Sequence, residues 1–301
     1  MKPEQRAYFE LHLAVVLFGL TALLGGLIDL SAIVIVWWRV LLTSISLLFL
    51  IRIRHLFRSL PLSTILSFAG IGIIVGLHWV TFYGAVKLSN VSICLVGMST
   101  TSIFTAFLEP VFFRQKIKWH EVLLSLMIVP GMILVVNATD FSLLTGLWVA
   151  MVSALLSSLF AILNKKQISK TSELSITFLE LGSAWIFLSL LIPLYSWLGN
   201  IQLNMRPPGW DDWMYLIILA LLCTTFAYAL NLKALKYISA FTSNLALNLE
   251  PVYGIILAWI ILKENEELST GFYWGVVIIL LAVFGHPFLS RRIRKKNSQT
   301  L

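Results

Sequence analysis

The stretch NLALNLEPVYGIILAW, residues 244–259, sets a carboxylate beside a proline inside an apolar run. A charge at the centre of a membrane-spanning helix costs roughly 2.5–3.5 kcal/mol on insertion scales, and it normally faces a cavity or an opposite charge. Pro251 lacks a backbone N–H, so the Leu247 carbonyl loses its helical donor. Freed backbone groups at that depth are tolerated where protein or a water-filled cavity satisfies them. Such residues suit ion pairing or contact with a polar solute within hydrocarbon. Bond-making chemistry finds no support, because the sequence has no HExxH, no Walker loop and no carboxylate pair placed for catalysis. The adjacent Asp211 and Asp212 stand at a helix start, where acid is ordinary capping.

Three more charges sit inside apolar segments: Arg39, Glu109 and Glu180. Counted at about 1.5 Å per residue, Glu250 lies about 16 Å and Arg39 about 12 Å into a core about 30 Å thick, from opposite sides. An Arg39–Glu250 ion pair is therefore expected. Glu109 and Glu180 share a layer nearer the cytoplasmic side. They could share a proton, pair with a loop cation such as Arg114, or not meet.

Polar stripes at helical spacing suggest what else surrounds Glu250. Ser102, Thr105 and Glu109 share one face of segment 90–113, and Ser153, Ser157 and Asn164 share one of 142–164, with Phe160 among them. Thr224, Tyr228 and Asn231 align on 210–236, and Gly72, Gly76, Trp79 and Tyr83 on 63–87. On 239–262, Asn244, Asn248 and Pro251 form one stripe, whereas Ala246, Glu250 and Gly254 form another. Glu250 is thus expected to join helices, and the asparagines to face something polar. The candidate path comprises Trp79, Tyr83, Ser102, Thr105, Ser157, Asn164, Tyr228, Asn231, Asn244, Asn248 and Pro251. For an isolated Ser or Thr, close helix packing is the competing reading. It is preferred for the aligned Gly19, Ala22 and Gly26. A hydrogen-bonded structural role is favoured over a proton relay for His78. No side chains stand at metal-ligand spacing, Cys94 and Cys223 read as packing thiols, and no cofactor is expected.

The elements that hold these residues are membrane helices. Of 301 residues, 59% are hydrophobic and only 12% charged, against about a quarter charged in soluble domains. The mean hydropathy is +0.91. Ten segments of roughly 20 residues fit a bilayer, at about 10–30, 31–51, 63–87, 90–113, 119–138, 142–164, 173–199, 210–236, 239–262 and 270–289. The first apolar run is too long for a signal h-region, so it is expected to remain. Of the 22 Lys and Arg, only Lys87, Arg206 and Lys263 fall in loops on one side, and Arg39 lies within a span. The others collect on the opposite side, which the positive-inside rule makes cytoplasmic, as it does both termini. The expectation is a multi-pass protein of the cell (inner or plasma) membrane. The net charge of +8 is spread in this way rather than as a nucleic-acid surface, and the RRIRKK tail suits anionic lipid.

The chain also repeats itself. AVKLSNVSICLVGMSTTSIF (85–104) parallels ALKYISAFTSNLALNLEPVY (234–253), and LMIVPGMILVV (126–136) parallels VIILLAVFGH (277–286). The expected layout is a five-helix repeat over 1–138, a second over 139–289, and a basic cytoplasmic tail over 290–301. An odd number of spans places the second repeat inverted in the membrane, an arrangement of transporters with midplane sites. With WWRVLLTSISLLFL (37–50), FYGAVKLSNVSICLVGMS (82–99) and ALKYISAFTSNLALNLEPVYGIILAWIILKE (234–264), the chain resembles the drug/metabolite transporter superfamily, in its ten-helix EamA-type family. One departure is Gln115 where the second repeat has Glu264; the first repeat carries its own Glu-Pro at Glu109–Pro110. The resemblance implies metabolite or drug transport, often export, along a path lined by the first, third, fourth, sixth, eighth and ninth helices.

The resulting expectation is an all-α, non-enzymatic secondary transporter or facilitator of small organic metabolites. Its path has hydroxyls, amides and aromatics but no cluster of cations, which suits an amino acid or amphipathic compound better than a polyphosphate. A lipid-linked or nucleotide-sugar carrier is the alternative within transport. A non-transporting sensor or scaffold, or an intramembrane enzyme, is the alternative outside it.

Overall fold

The computed structural model describes residues 3–200, 202–247, 249–264 and 268–281. The expected cavity role of Asn248 and the basic tail both lie outside the described residues. Eight helices among the described residues are long and apolar enough to cross a membrane: α1 (Pro3–Leu27), α3 (Leu62–Leu88), α4 (Val91–Phe113), α5 (Trp119–Ala138), α6 (Phe141–Gln167), α7 (Glu173–Gly199), α8 (Trp210–Leu235) and α9 (Ala240–Leu262). The shorter α2 (Ala32–Leu48) turns by 95° into a short helix, Ile53–Ser59. Apolar α10 (Thr270–Leu281) ends the described chain.

The helix starts follow from short polar side chains. Asn90 Oδ1 accepts from Ile93 N at 2.9 Å ahead of α4, and Ser172 Oγ accepts from Ser175 N at 3.3 Å ahead of α7. Asp212 Oδ2 accepts from Gly209 N at 3.1 Å at the start of α8. Its Oδ1 accepts from Asp29 N at 2.8 Å, tying the α1–α2 loop to that helix.

Two central helices break in mid-span. α4 consists of Val91–Met98 and Thr101–Phe113, and α9 of Ala240–Leu247 and Glu250–Leu262. In α4 the hydroxyls of Ser99, Thr100 and Thr101 bond back at 2.7 Å to the carbonyls of Val96, Gly97 and Met98. Such back-bonding competes with the helical ladder. α8 loosens instead into a π-helical stretch, Leu221–Phe226, where the Thr224 and Thr225 hydroxyls donate to Leu219 O (2.6 Å) and Ala220 O (3.0 Å).

Helix pairing obeys a two-fold exchange. α3 packs on α6 as α8 packs on α1; α4 packs on α6 as α9 packs on α1; α3 packs on α7 as α8 packs on α2. The pairs α2–α7 and α4–α9 map onto themselves. Small residues make the crossings close. A Cβ on Gly131 of α5 would stand 2.6 Å from Gly275 O of α10, and one on Gly275 would stand 2.7 Å from Gly131 O. Gly19 on α1 faces Tyr253 and Gly254 of α9 in the same way, with Tyr253 Cβ 2.9 Å from its own added Cβ.

Candidate functional site

A cavity of about 60 Å³ lies where the broken helices meet, room for a few waters at about 10–15 Å³ each. α1 lines it with Phe18 and Thr21, α3 with His78, Trp79 and Phe82, and α4 with Met98 and Thr101. Ser157 and Phe160 come from α6, Tyr228 and Asn231 from α8, and Leu247, Glu250 and Pro251 from α9. Arg39 reaches in from α2. Both helix breaks therefore open onto one space, between halves of the chain that pack by exchange.

Arg39 is held from several directions. Its Nε donates to Thr224 Oγ1 at 2.7 Å and its Nη1 to Tyr83 Oη at 2.8 Å, while its Nη2 stands 3.5 Å from Cys223 O. The guanidinium carbon lies 3.8 Å from the centroid of the Trp79 ring, a cation–π contact. The π-helical turn of α8 supplies Thr224 and Cys223 to this grip, and Thr43, one turn along α2, donates to Ala220 O at 3.0 Å.

Glu250 also faces the cavity. The expected Arg39–Glu250 ion pair is absent: the ion pairs among the described residues join other side chains. Equal depth is not equal direction, and Arg39 is turned toward α8 and α3. The expected packing role of Glu250 is also corrected. Glu250 and Pro251, expected on different faces, both border the cavity at the start of the second segment of α9.

Of the sequence-derived candidates, Arg39, Trp79, Ser157, Tyr228, Asn231, Glu250 and Pro251 line the cavity. Tyr83 stands behind Trp79 as a support for Arg39. Thr105 bonds Ser158 Oγ and accepts from Asn244 Nδ2, both at 2.8 Å, in a buried α4–α6–α9 joint. Ser102 lies in that region, its carbonyl accepting from Ser125 Oγ at 3.3 Å. Asn164 and Glu180 sit one layer behind Tyr228, which donates to Glu180 Oε2 at 2.6 Å. Glu109 is a cap, accepting from Phe241 N at 2.6 Å where α9 starts. His78 is hydrogen-bonded as expected, its Nδ1 lying 2.8 Å from Ser153 Oγ and 2.9 Å from Ser153 O, and it also borders the cavity.

Sequence reasoning missed Phe18, Thr21, Phe82, Met98 and Thr101 on the walls. The MSTTS run (98–102) carried a signal for Met98 and Thr101, since clustered hydroxyls favour a helix break. The others are ordinary apolar or single hydroxyl residues in greasy helices. Only the packing distinguishes them.

The geometry of one chain folded as two exchanging halves has a counterpart among known proteins. A solved crystal structure superposes with a TM-score of 0.67 at 14% identity, covering 96% of this chain and 99% of the other, a likeness of fold. No curated protein sequence matches. The model of the EamA-like transporter family matches twice, over residues 5–137 and 144–286. With both matches together spanning nearly the whole sequence, the chain belongs to the EamA-like transporter family.

Proposed function

We propose that the protein is a secondary transporter that moves a small organic metabolite out of the cell by alternating access around the cavity. In this reading the chain crosses the cell membrane ten times, with α2 and α10 counted as spans and both termini in the cytoplasm. The 290–301 tail rests on anionic lipid there. The observation that carries the reading is that Arg39 and Glu250 line one cavity, and the ion pairs among the described residues do not join them.

A zwitterion satisfies both. Its carboxylate would meet the guanidinium, whose planar donors suit that geometry, and its ammonium would meet Glu250. Trp79, Phe82 and Phe160 supply apolar and aromatic contact for the rest of the molecule. At about 60 Å³ the cavity is too small for a metabolite, so loading requires the halves to move apart. The broken helices α4 and α9 provide the joints, as discontinuous helices do in inverted-repeat carriers. The experiment is a screen of labelled metabolites for efflux from cells expressing the protein. Faster efflux of at least one amino acid-like compound, slowed by Arg39→Gln, is the expected result. An unchanged efflux profile across the panel would contradict the reading.

A further inference from the structure

One layer behind the cavity wall, Glu180 on α7 is wholly buried and has no ion-pair partner among the described residues. Its Oε2 accepts from Tyr228 Oη at 2.6 Å and from Asn164 Nδ2 at 3.4 Å, and that Nδ2 also lies 3.2 Å from Tyr228 Oη. Donors fall short in this cluster. Glu180 Oε1 and Asn164 Oδ1 are both buried without a partner. An ionised carboxylate only accepts, so while Glu180 is charged nothing in the trio can serve those two atoms fully. One added proton supplies a missing donor. It also removes a charge that hydrocarbon disfavours, and a buried acceptor left unmade costs about 1–3 kcal/mol.

Tyr228 links the cluster to the cavity. Its ring forms part of the wall and meets Trp79 edge-on at 6.2 Å between centroids, while its hydroxyl bonds Glu180. We propose that Glu180, reached through Tyr228, is a proton-binding site whose loading and release are coupled to the transport cycle. This rests on the transporter reading. The chemistry is a single balanced step: the Glu180 carboxylate takes a proton from water in the cavity, becoming the acid, and returns it to water when the cavity opens to the other side. No other bond is made or broken.

The surroundings leave few competing groups. α3 presents Gly72 to the Glu180 carbonyl, so closely that an added Cβ would collide with it. α2 presents Ser44 beside Gly182, two residues along α7, α6 presents Asn164, and α8 presents Tyr228. The Lys236–Glu173 ion pair (2.7 Å) lies about two turns along α7 toward its start. Across Tyr228, the charged or titratable groups of the cavity are Arg39, His78 and Glu250.

The test reads the carboxyl itself. Infrared difference spectra of the full chain in liposomes, recorded against pH, should show a carboxylic-acid C=O band with a component that disappears in Glu180→Gln and survives in Glu250→Gln. A spectrum unchanged by Glu180→Gln overturns the proposal. If Glu180→Gln does not fold, Tyr228→Phe serves: loss of its hydrogen bond should move the midpoint of that component, and an unmoved midpoint is the contrary result. With a compound from the efflux screen, a pH gradient should drive accumulation in wild-type proteoliposomes. Glu180→Gln should lose that drive and keep counterflow at equal pH on both sides. Drive by a sodium gradient, or pH drive that persists in Glu180→Gln, overturns the coupling. The infrared arm needs no transported compound. A titrating Glu180 with no flux therefore counts against the transporter reading, and flux without a Glu180 component counts against the proton site.

Discussion

Glu109 and Glu264 cap helices in each other's half of the molecule. Glu264, just past α9, accepts from Val91 N, Ser92 N and Ser92 Oγ at 2.9, 2.9 and 2.6 Å where α4 starts. Glu109 on α4 accepts from Phe241 N at 2.6 Å where α9 starts. The repeat that has Gln115 in place of Glu264 thus supplies its carboxylate from an earlier turn. Helix starts carry orphan N–H groups and a partial positive charge, which a carboxylate serves well.

Removing either cap should be costly. Glu264→Ala orphans two backbone donors and a hydroxyl, so a loss of about 1–3 kcal/mol is expected, read as a lowered midpoint of thermal unfolding in detergent. Glu109→Ala should cost less, because its Oε2 serves the backbone N–H of Phe241 and no hydroxyl. Glu264→Gln should recover part of the loss, since its amide oxygen still accepts.

Helix packing gives a paired test. A Cβ on Gly72 would collide with Glu180 O and Ser183 Oγ, whereas one on Gly70 meets nothing within 4 Å. Gly72→Ala should destabilise the fold by about 1–3 kcal/mol through overpacking. Gly70→Ala, two residues away, should be neutral or stabilising by up to about 1 kcal/mol from helix propensity. Equal behaviour of the two variants would contradict the α3–α7 contact.

Much of this was legible beforehand. Long apolar runs and their loop charges announced the membrane helices, and the KLSN and KYIS segments announced the repeat. Partners between helices were not legible. Depth along a helix follows from residue counting, but direction around it does not, and that is why Arg39 was matched to Glu250 rather than to Thr224 and Tyr83. Glu250 shows the same, because it borders the cavity together with Pro251 although the two fall on different stripes of the wheel. Glu180, Asn164 and Tyr228 were each visible as polar residues in apolar helices. Their meeting needed three helices to be placed.

Arg39 should not tolerate lysine. Its planar fork donates to Thr224 and Tyr83 while stacking on Trp79, and a lysine ammonium cannot match that geometry. Arg39→Lys is expected to lower thermal stability by about 1–3 kcal/mol.

Topology can be read by labelling. The native Cys94 and Cys223 are buried, so they contribute little background. Asp140→Cys should react with an impermeant thiol reagent from outside intact cells, and Asn297→Cys only after permeabilisation. The reverse pattern would contradict the proposed orientation.

The most direct measurement of the central claim is counterflow in proteoliposomes loaded with an unlabelled amino acid-like compound chosen from the efflux screen. Wild-type protein should accumulate the labelled compound against empty-liposome controls. Glu250→Gln and Arg39→Gln, each verified as folded, should reduce the initial rate about tenfold or more, the effect of losing about 1.4 kcal/mol of binding. Wild-type rates in both folded variants would contradict the assignment of this cavity as the substrate site.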